Sequence, residues 1–300
     1  ARKLRIQYEG ALYHVINRGN YRRDVCETVG AALAFEQTLV ETCLHYRWRL
    51  HAYVVMRNHF HLALETPQPN LVDGMHWLQG TFATRFNRFR GEQGHLFQGR
   101  YRAILVEDAA TLVRVIHYIH LNPVRANIVE PAACRSFRWS SLRRLRLNPR
   151  PSWLSAEALL AQMDFPDSVE GWAQYDTYLA SLAANPKEQE NLEFSRLSTG
   201  WAIGTSSWRS TLARNYRHLA LAPGFESREL LEIKDLHWRE ILGGLMAAAG
   251  KSVDDAANAP AAAPWKIAIA ARLRHHGVPY RWIGHKLHPG TTHALRAHVL

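Results

Sequence analysis

Residues 50–65 read LHAYVVMRNHFHLALE. LHAYVVM (50–56) is rich in β-formers, Asn58 is a turn residue, and HFHLALE (59–65) alternates in polarity. Two such runs a few residues apart predict a β-hairpin. On a strand, side chains two positions apart share a face. His59, His61, Ala63 and Glu65 therefore look one way, and Phe60, Leu62 and Leu64 look the other, into a core. Two imidazoles one strand step apart can chelate a metal ion. Taken alone, such a pair is more often surface or hydrogen-bonded than metal-ligating.

Upstream of the hairpin, HVINRG (14–19) predicts a short strand ending at Gly19. Residues 29–46 place Ala31, Ala32, Phe35, Leu39 and Cys43 at helical spacing. Downstream, Pro67 and Pro69 stop the strand, and Leu71, Met75, Leu78 and Phe82 mark a helix running to about Arg90. GEQG (91–94) is a turn and LFQGRYRAILVE (96–107) reads as a strand. Residues 109–121 read as a helix ending at Asn122-Pro123, because a residue before proline disfavours helical geometry. Strand, helix, hairpin, helix, strand, helix predicts an α+β sandwich on an antiparallel sheet.

Residues 136–190 read as helical, with Trp and Pro punctuation and a boundary at Asn185-Pro186-Lys187. AAAGKSVDDAANAPAAAP (247–264) has a linker's composition. After it come WKIAIAARLRHH, a Gly277 turn, PYRWIGHKLH, a Pro289-Gly290 turn and TTHALRAHVL. Three short helices so spaced fit either a helix-turn-helix DNA reader, with Arg296 and His298 on its last helix, or a plain helical cap. The expected division is 1–140 as the α+β domain, 141–246 as a helical extension, 247–264 as a linker and 265–300 as a helix-turn-helix-like segment.

Three hundred residues can bury a sizeable core, and 47% hydrophobic with 21% charged residues is a globular composition. No apolar run approaches the roughly 18 residues a bilayer demands. The start, ARKLRIQYEGALYHV, lacks a signal-peptide apolar stretch, so a cytoplasmic, nucleoid-associated location is expected. Cys26, Cys43 and Cys134 are scattered without a CxxC pair and read as free, partly buried thiols. The net charge is +11. Arginines crowd the middle of the chain: Arg85, Arg88, Arg90, Arg100, Arg102, Arg114 and Arg125, then a second group from Arg135 to Arg150. Guanidinium forks suit phosphate oxygens, and a basic solvated surface is the other reading.

On the helix 109–121, Leu112, Val115, Ile116 and Ile119 form an apolar stripe. Tyr118 lies roughly 110° from its centre, so it is not an obvious core residue. Asn122 falls on the same flank and Arg114 one turn before. Phenol, amide and guanidinium thus share one side, unless Tyr118 is a core-edge residue and Asn122 a cap. A histidine-triad nucleotide hydrolase would need a third alternating histidine, and position 63 is Ala.

VVMRNHFHLALE, then GHLFQGRYRAILVE and YIHLNPVRANIV downstream, resembles a REP-associated tyrosine transposase, of the single-tyrosine HUH endonuclease class. The resemblance runs through roughly residues 5–145. It implies a ferredoxin-like α+β (HUH) domain, His59 and His61 as metal ligands, and Tyr118 as nucleophile. Asn122 stands where insertion-sequence relatives carry a Gln metal ligand. Arg57 stands where a proline is expected, a change confined to the turn. His120, inside the tyrosine motif, is a secondary candidate on another helical face. The implied cofactor is Mg²⁺ or Mn²⁺. The implied substrate is single-stranded or hairpin DNA of REP type, nicked and rejoined through a 5′-phosphotyrosine by a monomer or homodimer. The arginines from Arg85 to Arg125, with Arg296, are the expected DNA contacts; Phe82, Phe86 and Phe89 keep helical spacing and read as core. A hairpin binder without catalysis, or a metal phosphohydrolase using water, would be the alternatives.

Overall fold

The structure is a computed structural model that describes residues 6–216 and 228–287. The described residues fall into two compact units that part between Arg209 and Ser210.

The first unit is built on β1 (Ala11–Arg18), α1 (Val29–Tyr46), β2 (Arg49–Val55), β3 (His59–Thr66), α2 (Leu71–Arg90), β4 (Arg102–Val106) and α3 (Ala109–His120). The sheet order is β2-β3-β1-β4, all antiparallel, which is the ferredoxin-like arrangement expected. Thr28 caps α1 by accepting from the Ala31 amide at 3.2 Å, and Arg47 closes it with φ +56°. One sheet face carries Phe60, and Phe35 of α1 and Phe82 of α2 pack there with centroids 4.7 and 5.1 Å from neighbouring rings. Gly74 lets α2 lie against Trp48: a Cβ there would sit 2.1 Å from the indole.

Several expectations need correction. The strand expected over 96–107 is regular only over Arg102–Val106, because Gly94 and Gly99 adopt φ of +105° and +64° and turn the chain between. Phe97 keeps a single bridge to Gly19. The sheet is not wholly antiparallel: β5 (Ala202–Ile203) pairs parallel with β4 and covers an edge that would otherwise expose its hydrogen-bonding groups. The helix does break after His120, yet α4 (Asn122–Arg125) starts at once, with Pro123 in its first turn where a missing N–H costs nothing.

A further correction concerns the extension. Through Arg209 it belongs to the same compact unit as the α+β domain, and from Ser210 to the second unit. Chain 131–155 runs in short 3₁₀ turns, with the Trp139 carbonyl accepting from Val55 N at 2.8 Å. It then forms α5 (Glu157–Met163), α6 (Val169–Ala183) and α7 (Pro186–Asn191). Asn185 is a cap for α7, accepting from Glu188 N at 3.1 Å, rather than a boundary. α5 and α6 cover the outer side of α3, so Thr111–Val113 and Val115–His120 are all buried. Tyr118, expected off the core, is 7% exposed, packed against His14, His61 and Phe194.

α8 (Ser206–Asn215) contains the division between units. The second unit holds α9 (Arg228–Ala248), α10 (Val253–Asn258), α11 (Pro264–His275) and α12 (Tyr280–Leu287) around Trp238, Leu242, Met246, Ala256, Ile269, Leu273, Ile283 and Leu287. Within the 247–264 stretch, expected as linker, α10 forms and Ala256 enters this core. α10 opens on a reciprocal Ser252–Asp255 capping box, and Lys266 Nζ donates to the Ala256 and Ala259 carbonyls at 2.6 and 2.7 Å. α11 ends at Gly277 (φ +75°) and α12 follows. The third helix expected over 291–300, with Arg296 and His298, lies outside the described residues. Cys26, Cys43 and Cys134 are free and buried, with burial pushing each thiol up to about 12. No helix among the described residues is long and apolar enough to cross a membrane.

Candidate active site

β1 and β3 set Ile16 opposite His61 and Arg18 opposite His59. Opposed residues share a sheet face, so His14, Ile16 and Arg18 of β1 look the same way as the histidine pair. α3 lies over that face. The Tyr118 ring stands edge-on to His61 and His14, with centroids 5.6 and 5.8 Å away. Phe194 closes it from another side at 5.6 Å, and the Arg125 guanidinium sits 4.7 Å from the tyrosine centroid. A cation over a phenol face is attracted by the ring quadrupole.

His59 and His61 lie 5.2 Å apart by centroid. Asn58 donates through Nδ2 to the Arg22 carbonyl at 3.3 Å, which leaves its Oδ1 facing His59 Nδ1 at 2.7 Å. His59 Nδ1 is thereby the donor, and its Nε2 keeps a lone pair. Asn122 donates through Nδ2 to the Tyr118 carbonyl at 3.0 Å, and its side chain lies beside the His59 ring. The helix break at Asn122 thus brings phenol and amide to the same histidine pair.

Electrostatics keep these imidazoles neutral. Burial, then the Arg18 charge, holds His59 down to about 4, against the Asn122 bond that raises it. Burial holds His14 at about 4, with the Leu197 carbonyl opposing. His61 is held well below the usual range by burial, then by His14, His59, Arg125 and Arg18. Neutral imidazoles are the metal-binding form.

The structure brings together His59, His61, Tyr118 and Asn122. It takes His120 elsewhere: Nδ1 meets the Tyr175 hydroxyl and Nε2 the Ser141 hydroxyl, both at 2.9 Å, so both nitrogens are engaged in packing α3 on α6 and on the 3₁₀ turn at Ser141–Arg143. Arg114 turns from the tyrosine to Glu193, at 3.0 Å. Of the other named arginines, Arg85 pairs with Glu41 at 2.8 Å, Arg90 with Glu92 at 3.4 Å, and Arg102 donates to the Ser198 carbonyl at 2.7 Å. Arg88 and Arg100 are exposed. Phe82 and Phe86 are core as expected, but Phe89 is 77% exposed between Arg88 and Arg90.

Sequence reasoning missed His14, Phe194 and Leu197. Alternation within HVINRG could have put His14 on a sheet face, but its meeting with His61 depends on strand register. Phe194 and Leu197 arrive from the extension, where no local pattern links them to the site.

A ferredoxin-like sheet with an HxH strand, roofed by a helix bearing one tyrosine, is the arrangement that the sequence resemblance implied. Residues 7–122 match the family model described as "Transposase IS200 like". A REP-associated tyrosine transposase bound to a REP hairpin is 15% identical, over 51% of this chain and 89% of its own, with a TM-score of 0.43. A chain from Deinococcus radiodurans R1 described as a transposase is 24% identical, over 43% of this chain and 92% of its own, with a TM-score of 0.29. No curated protein matched.

Proposed function

We propose that this domain nicks and rejoins single-stranded DNA beside REP-type hairpins, with Tyr118 as nucleophile and a divalent cation held by His59, His61 and Asn122. The convergence of these four side chains on one sheet face carries the reading.

The donor set suits such an ion. The set would be the two imidazoles and the Asn122 amide; among the described residues no group of three or more His, Cys, Asp or Glu is arranged to hold a metal. His59 presents a bare nitrogen beside the Asn122 amide, and its low proton affinity keeps that nitrogen free at neutral pH. Imidazole donors favour Mn²⁺, and Mg²⁺ is the common alternative. When bound, the ion would polarise the scissile phosphate.

The chain's own groups do the rest. The Tyr118 oxygen attacks phosphorus, the P–O3′ bond breaks, and the 3′ oxygen leaves as a hydroxyl once protonated. The 5′ phosphate remains on Tyr118, so the diester bond is conserved and the reverse step joins strands without ATP. α3 holds the phenol over the histidines, and Arg125 offers a cation beside it for phosphate oxygens. Exposed Phe89, flanked by Arg88 and Arg90, suits base stacking with backbone contacts on either side.

The test is incubation with labelled single-stranded hairpin DNA and Mn²⁺ or Mg²⁺, beside Tyr118→Phe. An adduct stable on a denaturing gel, formed by wild type and absent from the variant, is expected. Cleavage that survives in Tyr118→Phe would make water the nucleophile; binding without cleavage would make the protein a hairpin binder.

A further inference from the structure

His14 is fully buried on the sheet face beneath Tyr118. Its Nδ1 lies 2.7 Å from the Leu197 carbonyl, and its Nε2 lies 2.9 Å from His61 Nδ1. A carbonyl oxygen accepts and cannot donate, so His14 Nδ1 carries the proton. Neutral His14 then has a bare Nε2, which accepts from His61 Nδ1–H. Neutral His61 in turn has its only proton on Nδ1, and its Nε2 is a bare lone pair. One backbone carbonyl thus dictates the tautomer of two successive imidazoles.

We propose that His14 is a positioning residue: anchored by Leu197, it locks His61 in the Nδ1–H tautomer and so presents His61 Nε2 as a ready donor atom for a divalent cation. The metal end of this inference rests on the proposed function; the tautomer end does not. Outer partners commonly fix a ligating histidine through its second nitrogen. Here the anchor lies 183 residues from His14 in sequence, beyond the matched family segment. The strap from Glu193 to Ser198 is itself pinned, by Arg114 on Glu193 and by Arg102 on the Ser198 carbonyl. Phe194 of the same strap packs on Tyr118. The extension therefore completes the site.

The test uses the full chain without metal. Long-range ¹H–¹⁵N spectra, with His61 assigned through His61→Gln, read its tautomer directly. Wild type should show His61 as Nδ1–H. His14→Phe keeps a ring in the space but removes acceptor and donor, and should release His61 into a mixture or into the Nε2–H form. His14→Gln can donate to Leu197 and accept from His61, and should restore Nδ1–H. Mn²⁺ binding followed by electron paramagnetic resonance should weaken roughly 10- to 100-fold in the Phe variant and recover in the Gln variant. A backbone amide spectrum of each variant checks the fold. His61 found as Nε2–H in wild type, or unchanged in a folded His14→Phe, overturns the proposal. Wild type that shows Nδ1–H yet takes up no Mn²⁺ overturns the metal role, and with it the metal reading above, while the tautomer lock stands.

Discussion

Asn122 tests how far a single side chain sets the site. It bonds the Tyr118 carbonyl and lies beside the His59 ring, so it ties the helix of the proposed nucleophile to the histidine pair. Asn122→Asp would place a carboxylate where the amide lies. An opposite charge favours the imidazolium, so the His59 midpoint should climb from about 4 towards the ordinary histidine value, and Mn²⁺ should bind more tightly. Asn122→Ala should weaken Mn²⁺ binding and cost about 1 kcal/mol of stability for the missing bond. Histidine titration by NMR reads the first effect; an unchanged His59 midpoint in the Asp variant would remove Asn122 from the site. At this scale the sequence was informative where chemistry and period coincide. His59 and His61 share a face by alternation, and Tyr118 and Asn122 share a flank by helical arithmetic. His14 was illegible because register is a property of two strands, and Leu197 because its contribution is a backbone carbonyl with no side-chain signature.

Among the elements, α2 shows how two glycines in one helix differ. Gly74 faces fully buried Trp48, and an added Cβ would sit 2.1 Å from the indole; Gly80 is exposed with nothing near. Gly80→Ala should stabilise by up to about 1 kcal/mol through helix propensity. Gly74→Ala gains the same propensity but forces the packing apart, at about 1–3 kcal/mol, and should be net destabilising. Thermal unfolding of both variants separates them, and a stabilised Gly74→Ala would show that Trp48 yields. α3 and α6 give a second case. Burial holds His117 and His120 at about 3. Their folded proton affinity is depressed, so below about pH 6.5 the unfolded chain takes up protons the native state refuses. Stability should fall as pH drops from about 6.5 towards 3. His120→Gln should flatten that slope by up to about 1.4 kcal/mol per pH unit, one proton's worth; an identical slope would mean His120 titrates alike folded and unfolded. Elements with a long hydrophobic period, such as α1, α2 and the hairpin, were legible. β5, two residues long, carries no period at all. α10 hid in alanine-rich composition although its S-x-x-D cap was written at Ser252–Asp255.

At the scale of the whole molecule, the division at Arg209 decides where the chain can be cut. A cut near residue 250 would look natural from composition, but it severs Trp238, Leu242 and Met246 from Ala256, Ile269 and Leu273, which share one core. Such a truncation should leave α9 with an exposed apolar face and aggregate. Ending the chain at Arg209 instead keeps the strap through Leu197 and Ser198, and with it the His14 anchor and the cover over Tyr118. That shorter chain should fold and nick a short single strand. The unit removed carries exposed Arg272 and Arg281 around the Gly277 turn. If it neutralises phosphates, its removal should lower hairpin affinity and make the salt dependence shallower, by about 0.9 in log–log slope for each duplex phosphate no longer neutralised. Anisotropy titrations across a salt series measure both quantities. Weaker binding with a shallower slope and nicking retained would assign the second unit to DNA capture. Equal affinity and equal slope would take it out of the DNA path and leave the first unit as the whole of the DNA-handling machinery.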